Sequence, residues 1–200
     1  DQSDSTNVWD TNYKGVWHLS QGDSTTSGFY DDPTSNDKNG TLIDADGDTN
    51  QITGKIGSAM DFNGDADYIS VGTNAMGDLG ENHTVSLWLK GDVVSGSLPI
   101  IAEYDGGVCG DFYLNFATNV ISAHDGSSQT LDSSTVLAGV WYYTVFTSDT
   151  LGRIYLDGGL NATHSTDLDW RNGCSLDVKF ATNGDLTGFV NGILDEIRIS

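Results

Sequence analysis

Apolar and polar residues alternate along most of this chain, and glycine, aspartate, asparagine and serine break the alternation at short intervals. Residues 84–91 (TVSLWLKG) put Val85, Leu87 and Leu89 on one side and Ser86, Trp88 and Lys90 on the other. Period two is the signature of a strand with one buried face. The same reading predicts strands in 13–20 around Val16 and Trp17, in 98–104, 111–117 and 119–126, and in 175–182 and 188–200. Residues 59–71 read as strand, Asn-Gly-Asp turn, strand, and 140–149 with 152–159 as a hairpin. LDGG at 156–159 suits a type I′ turn, which matches the twist of paired strands. No window shows a capped helical stripe. About a dozen short strands at regular spacing predict an all-β fold, a sandwich or barrel. No linker or internal repeat divides the chain, so 1–200 reads as one domain. The stretch from 40 to 57 reads as a long polar loop, a kind of segment that often carries function.

Composition sharpens this picture. Of 29 acidic residues only Glu81, Glu103 and Glu196 are glutamate. Aspartate suits turns and hard-cation sites, whereas the helix formers glutamate and lysine are scarce. The net charge of −21 disfavours binding to nucleic-acid phosphates and to anionic lipid. It fits solubility, or loading with divalent cations. No apolar run is long enough to span a bilayer as a helix. The start, DQSDSTNVWD, lacks the basic and apolar parts of a signal peptide, so the chain is expected to be a piece of a longer protein.

Cys109 and Cys174 lie in glycine-flanked loops, GGVCGD and RNGCSL, outside any C-x-x-C pair. A disulfide between the loops implies an oxidising compartment; two separate thiols are the alternative. The four histidines, His18, His83, His124 and His164, have no zinc spacing. His124 follows an alternating strand and reads either as a residue facing the concave sheet or as a packing residue.

Four ordered stretches resemble the bacterial laminin-G-like, concanavalin A-like lectin/glucanase jelly rolls of secreted and cell-surface proteins. They are GVWHLSQ with DDPTSNDKNGT, GKIGSAMDFNGDADYISV, HTVSLWLK with WYYTVFTSDTLGRIYLDG, and GFVNGILDEIRIS. Pro33 and Lys38 depart from the pattern. The resemblance implies a two-sheet antiparallel jelly-roll sandwich, with Trp17, Phe62, Trp88, Trp141 and Ile197 as core or sheet-packing anchors and Gly15, Gly57 and Gly158 in tight turns. It also implies a structural calcium between the first loop and the last strand. The matching positions are Asp32, Asn36, the Gly40 and Thr41 backbone, and Asp195. The alternative is that Asp32 and Asn36 cap turns and Asp195 bonds nearby backbone. Asp44, Asp46 and Asp48 match the start of an EF-hand loop, but Thr49 and Lys55 replace its turn glycine and final glutamate.

If the two cysteine loops meet, Glu103, Tyr104, Asp105, Asp111, Asp169, Trp170, Arg171 and Asn172 share one rim. Trp170 then offers an apolar wall, and Tyr104, Asp105, Asp111, Arg171 and Asn172 offer polar groups for sugar hydroxyls. The alternative packs Trp170 under its own loop and pairs Arg171 with Asp167 or Asp169. A retaining glycosidase needs two carboxylates about 5 Å apart. Asp195 and Glu196, being consecutive, are expected on opposite faces of their strand. The expected function is therefore a non-catalytic, calcium-binding, glycan-binding module of an extracellular adhesin or secreted protein. A protein-binding or structural spacer domain is the alternative, and a glycosidase comes last. The module is expected to be monomeric.

Overall fold

The alternation at 84–91 becomes a nine-residue strand whose Val85, Leu87 and Leu89 are fully buried. The computed structural model describes residues 8–20, 29–44, 47, 50–73, 79, 82–104, 112–125, 129–168 and 176–200. Among these there is no helix. The strands are β1 (Gly15–Trp17), β2 (Phe29–Tyr30), β3 (Gly40–Ile43), β4 (Asn50–Thr53), β5 (Ser58–Asn63), β6 (Tyr68–Thr73), β7 (His83–Gly91) and β8 (Ser97–Glu103). They continue with β9 (Phe112–Ala117), β10 (Val120–His124), β11 (Thr130–Asp132), β12 (Tyr142–Ser148), β13 (Gly152–Leu156), β14 (Gly159–Thr163), β15 (Asp177–Phe180) and β16 (Asn191–Ile199).

Two antiparallel sheets form the sandwich that the periodicity implies. The first runs β14-β13-β12-β7-β16-β5-β4, with β1 also on β16. The second runs β11-β10-β9-β8-β15-β6-β3-β2. Between them lie Trp17, Phe62, Phe112, Phe116, Phe146, Phe180 and the inward Leu, Ile and Val side chains. Trp17 is fully buried, its Nε1 donates to the Lys38 carbonyl at 2.8 Å, and its ring meets the Phe180 ring edge-on at 4.9 Å.

Several local expectations hold in detail. β12 and β13 pair as a hairpin, and the turn from β13 to β14 uses positive φ at Asp157 (51°) and Gly158 (83°), the type I′ pattern. Others are corrected. The stretch from 40 to 57 contains β3 and β4, so it is not one loop. The turn after β5 carries the chain from the first sheet to the second and is no hairpin. Gly15 sits inside β1, where an added Cβ would lie 2.1 Å from the Trp17 ring. Close ring approach, not a turn, requires glycine there. Trp17, Phe62 and Ile197 are core residues, but Trp88 and Trp141 are only half-buried. Trp88 alternates away from Leu87 and Leu89, which places it on the outer face of the first sheet.

Candidate functional site

That outer face gathers the exposed aromatic chemistry. Register pairs Trp88 of β7 with Tyr143 of β12, and their rings lie 5.1 Å apart at 41°. Asp157 fixes Tyr143 from the hairpin turn: its Oδ1 accepts the Tyr143 N–H at 2.9 Å, and its own N–H donates to the Tyr143 carbonyl. The turn between β4 and β5 folds over the same face. Lys55 and Ile56 donate their N–H groups to Asp195 Oδ2 at 2.7 and 3.1 Å. This anchorage places Lys55 Nζ 5.0 Å from the centre of the Trp88 ring and 5.9 Å from that of Trp141. It also leaves Ile56 53% exposed.

A bulge in β16 completes the wall. The pairing with β7 slips between Asp195 and Arg198, and Glu196 takes φ 54°. One residue too many on one strand turns the next side chain to the same face. Asp195, opposite Trp88, and Glu196 therefore both serve the outer face, contrary to strict alternation. Glu196 accepts a hydrogen bond from His18 Nδ1 at 2.8 Å and one from an Arg198 guanidinium nitrogen at 2.6 Å. Burial raises its pKa, but these two partners outweigh burial and hold the carboxyl below its usual value. Arg198 Cζ lies 5.4 Å over Trp9, which packs edge-on against Tyr13.

Two adjoining clefts result. The larger, of about 1130 Å³, is lined by Trp9, His18, Phe29, Asp31, Glu196 and Arg198 among others. The smaller, of about 190 Å³, is lined by Ile56, Trp88, Tyr143, Glu196 and Arg198. Ile56, Glu196 and Arg198 line both, so the two form one furrow with indole rings at each end.

Of the five residues expected to hold calcium, Asp32 and Asn36 share one loop and are linked through the Thr34 hydroxyl. Asp32 is buried, and its carboxylate accepts from the N–H groups of Val16, Thr34 and Lys38 and from the Thr34 hydroxyl, at 2.8–3.0 Å. Donated hydrogens occupy its oxygens, so Asp32 as placed does not fit a cation ligand. Asn36 donates its amide to the Tyr13 and Lys14 carbonyls. Gly40 and Thr41 lie in the second sheet, opposite Tyr30 and Phe29. Asp195 differs: it is fully buried, and its Oδ1 has no hydrogen-bond partner. Burial, with the Glu196 charge beside it, raises its pKa against the pull of the Ile56, Lys55 and Glu196 N–H groups. A buried carboxylate oxygen of this kind could serve as one of the several oxygen ligands that a hard cation takes. Among the described residues no three His, Cys, Asp or Glu side chains gather as a metal site.

The rim expected to hold sugar is mostly outside the described residues: Asp105, Asp111, Asp169, Trp170, Arg171, Asn172 and the cysteines Cys109 and Cys174 all lie there, as do Asp46 and Asp48. Asp44 accepts the Gly47 N–H in a local turn. Tyr104 is described, and it meets Tyr113 edge-on at 5.6 Å on the second sheet. Tyr113 stacks on His124 at 4.3 Å and 14°. Ser122 donates to Asp132 Oδ1 at 2.5 Å, so His124 Nε2–H donates to the Ser122 oxygen and Thr130 donates to Nδ1. The serine proton thus points at aspartate, away from the imidazole. This arrangement does not activate Ser122 as a nucleophile.

Burial pushes the His124 imidazole below its ordinary 6.5, against the upward pull of Asp132 and Asp125. Above that value both the folded and unfolded rings are neutral. As pH falls below it, the unfolded chain gains a proton that the folded ring resists, and stability drops until the folded pKa is passed. Thermal melts between about pH 7.5 and about pH 5 are expected to show a shallower decline for His124→Gln than for the wild type. Equal slopes would mean that His124 titrates alike in both states.

The furrow residues were missed because two of them look like core. A tryptophan in an alternating strand reads as an anchor until its face is assigned. The alternation of Trp88 with Leu87 and Leu89 already held that signal. The Glu196 bulge left no trace in the pattern.

A family model described as the concanavalin A-like lectin/glucanases superfamily matches residues 63–200. No curated protein matches the chain. Among solved structures, the fold is similar to domain 4 of AbnA, a GH43 extracellular arabinanase from Geobacillus stearothermophilus, solved with arabinotriose. The TM-score is 0.68 at 17% identity, over 94% of this chain and 91% of that one. It is also similar to botulinum neurotoxin type C, whose cell entry depends on two ganglioside molecules (TM-score 0.66, 14% identity, 94% of this chain and 47% of that one). A third is Trypanosoma rangeli sialidase in complex with the inhibitor DANA (TM-score 0.58, 14% identity, 92% and 30%). The chain spans about half of the solved toxin chain and under a third of the solved sialidase chain. At these identities the likeness speaks for the fold.

Proposed function

The chain belongs to the concanavalin A-like lectin/glucanase superfamily, and from that premise we propose that it is a carbohydrate-binding module holding a glycan in the furrow on its first sheet. The observation that carries this reading is the furrow itself: half-exposed Trp88 and Tyr143 side by side, with Glu196, Arg198 and Lys55 fixed around them. Sugar rings present flat C–H faces to aromatic rings and hydroxyls to fixed polar groups. The arabinanase domain with its bound arabinotriose supports the same reading. An extracellular adhesin or secreted enzyme is the proposed setting. Calcium is its proposed cofactor, held by Asp195, where it would satisfy the buried Oδ1 and stiffen the turn carrying Lys55 and Ile56. Its role there is structural.

The test is a glycan-array screen in calcium and in EDTA, followed by titration of the best ligand, with arabinotriose included. Trp88→Ala is expected to weaken binding about 30-fold, as loss of an aromatic hot spot does. Tyr113→Ala, on the other sheet, is expected to leave it unchanged. A reversed pattern would move the site to the second sheet, and no glycan bound by the wild type would end the reading. EDTA is expected to lower the melting temperature of the wild type and not that of Asp195→Asn. If it lowers neither, Asp195 holds no calcium.

A further inference from the structure

We propose that the furrow selects an acidic sugar, a hexuronate unit whose carboxylate is taken by Lys55; this rests on the glycan-binding reading above. The chain carries 29 acidic residues and only 8 basic ones. Lys179 pairs with Asp177, Arg153 with Asp149 and Arg198 with Glu196. Lys55, like Lys14, Lys38 and Lys90, has no such pair among the described residues, and what sets it apart is its place over two indole rings, those of Trp88 and Trp141. Its backbone explains why it stays there, because Asp195 pins the turn through the Lys55 and Ile56 N–H groups. None of its three ammonium hydrogens is taken by a described residue, which leaves them to a ligand.

Arg198 lines the same furrow. Arg198 gives one guanidinium nitrogen to Glu196, and its Nε–H is buried without a hydrogen-bond partner. Both clefts are lined by Arg198, whereas Lys55 stands at the Trp88 end. Glu196 offsets the charge of Arg198, and Asp31 and Asp37 line the larger cleft. At the Trp88–Tyr143 end the Lys55 ammonium forms no ion pair, the buried Asp195 carboxylate being turned to the Lys55 and Ile56 N–H groups, and the ligand carboxylate belongs there. A uronate carries its carboxylate at the ring edge. With its C–H face on Trp88, that edge group meets an ammonium displaced from above the ring. The cation–π contact is exchanged for an ion pair, and the sugar takes the indole face. A neutral hexose, with a hydroxymethyl group at the same position, gains only a neutral hydrogen bond. The net charge of −21 repels a polyanion at long range, but salt screens that repulsion beyond about 8 Å, so the short-range contact decides.

The test compares trigalacturonic acid with its carboxyl-reduced counterpart, two ligands that differ only in the charged group, by titration calorimetry on the wild type and on Lys55→Met. Methionine keeps the main-chain N–H to Asp195 and an apolar stem, and an unchanged melting temperature verifies the fold. The wild type is expected to bind the acidic trisaccharide at least about tenfold more tightly, and Lys55→Met to bring the ratio of affinities near one. Equal affinities in the wild type, or a preference that survives Lys55→Met, would overturn the inference. Binding only of neutral glycans on the array would overturn it and leave the glycan-binding reading standing. No binding of any glycan would remove both.

Discussion

Trp17→Ala is expected to lower the unfolding free energy by about 4 kcal/mol, within the range for deleting a buried indole. The side chain is fully buried and stacks edge-on to Phe180 across the two sheets. Gly15, which has no room for a Cβ beside the ring, cannot move in to fill the space without a shift of β1. Trp17→Phe separates packing from bonding. It keeps most of the volume but leaves the Lys38 carbonyl without its Nε1 donor, an effect of about 1–2 kcal/mol. Urea denaturation with an unchanged slope and a lowered midpoint is the measurement. A loss below about 1 kcal/mol for alanine would show that the sandwich does not close on this residue.

Asp32→Ala is the second large effect. Four donors from Val16, Thr34 and Lys38 converge on one buried carboxylate, and alanine leaves them all without an acceptor. A loss of about 3 kcal/mol or more is expected, with Asp32→Asn intermediate because it retains one acceptor oxygen. Amide exchange at Val16 and Lys38 reports the site directly: both amides are expected to lose protection in Asp32→Ala. EDTA is expected to leave them protected in the wild type. If EDTA alone exposes them, an ion rather than hydrogen bonding organises the loop.

Sheet and sandwich were legible because burial of one face imposes period two, and Val85, Leu87 and Leu89 display it plainly. The hairpin at Asp157 and Gly158 was legible because positive φ restricts residue choice. Several short strands escaped notice: β2 has two residues, β11 three and β4 four, too few to show a period. The partition of β5 and β6 between different sheets depends on long-range pairing, which a local turn signal does not encode. The site was less legible still. Asp32 and Asp195 were found as chemistry-bearing residues, but the partners that define them come from 16 and 140 residues away. Lys55 looked like a failed EF-hand position. Its meaning lies in the aromatic rings beneath it, which the sequence places 33 and 86 residues downstream.

The pairing of β1 with β16 has a mechanical corollary. Gly15 lies opposite Ile199, and the Lys14 N–H donates to the Ile199 carbonyl, so the outward-leading ends of these antiparallel strands leave from the same end of the ladder. Tension applied through Lys14 and Ser200 would load the hydrogen bonds one after another, as in opening a zipper, and not all at once in shear. The first strand would peel away at low force while the other strands of both sheets stayed paired. Trp17 and the loop knotted by Asp32 would then be the first elements to give, making the domain a compliant link under load.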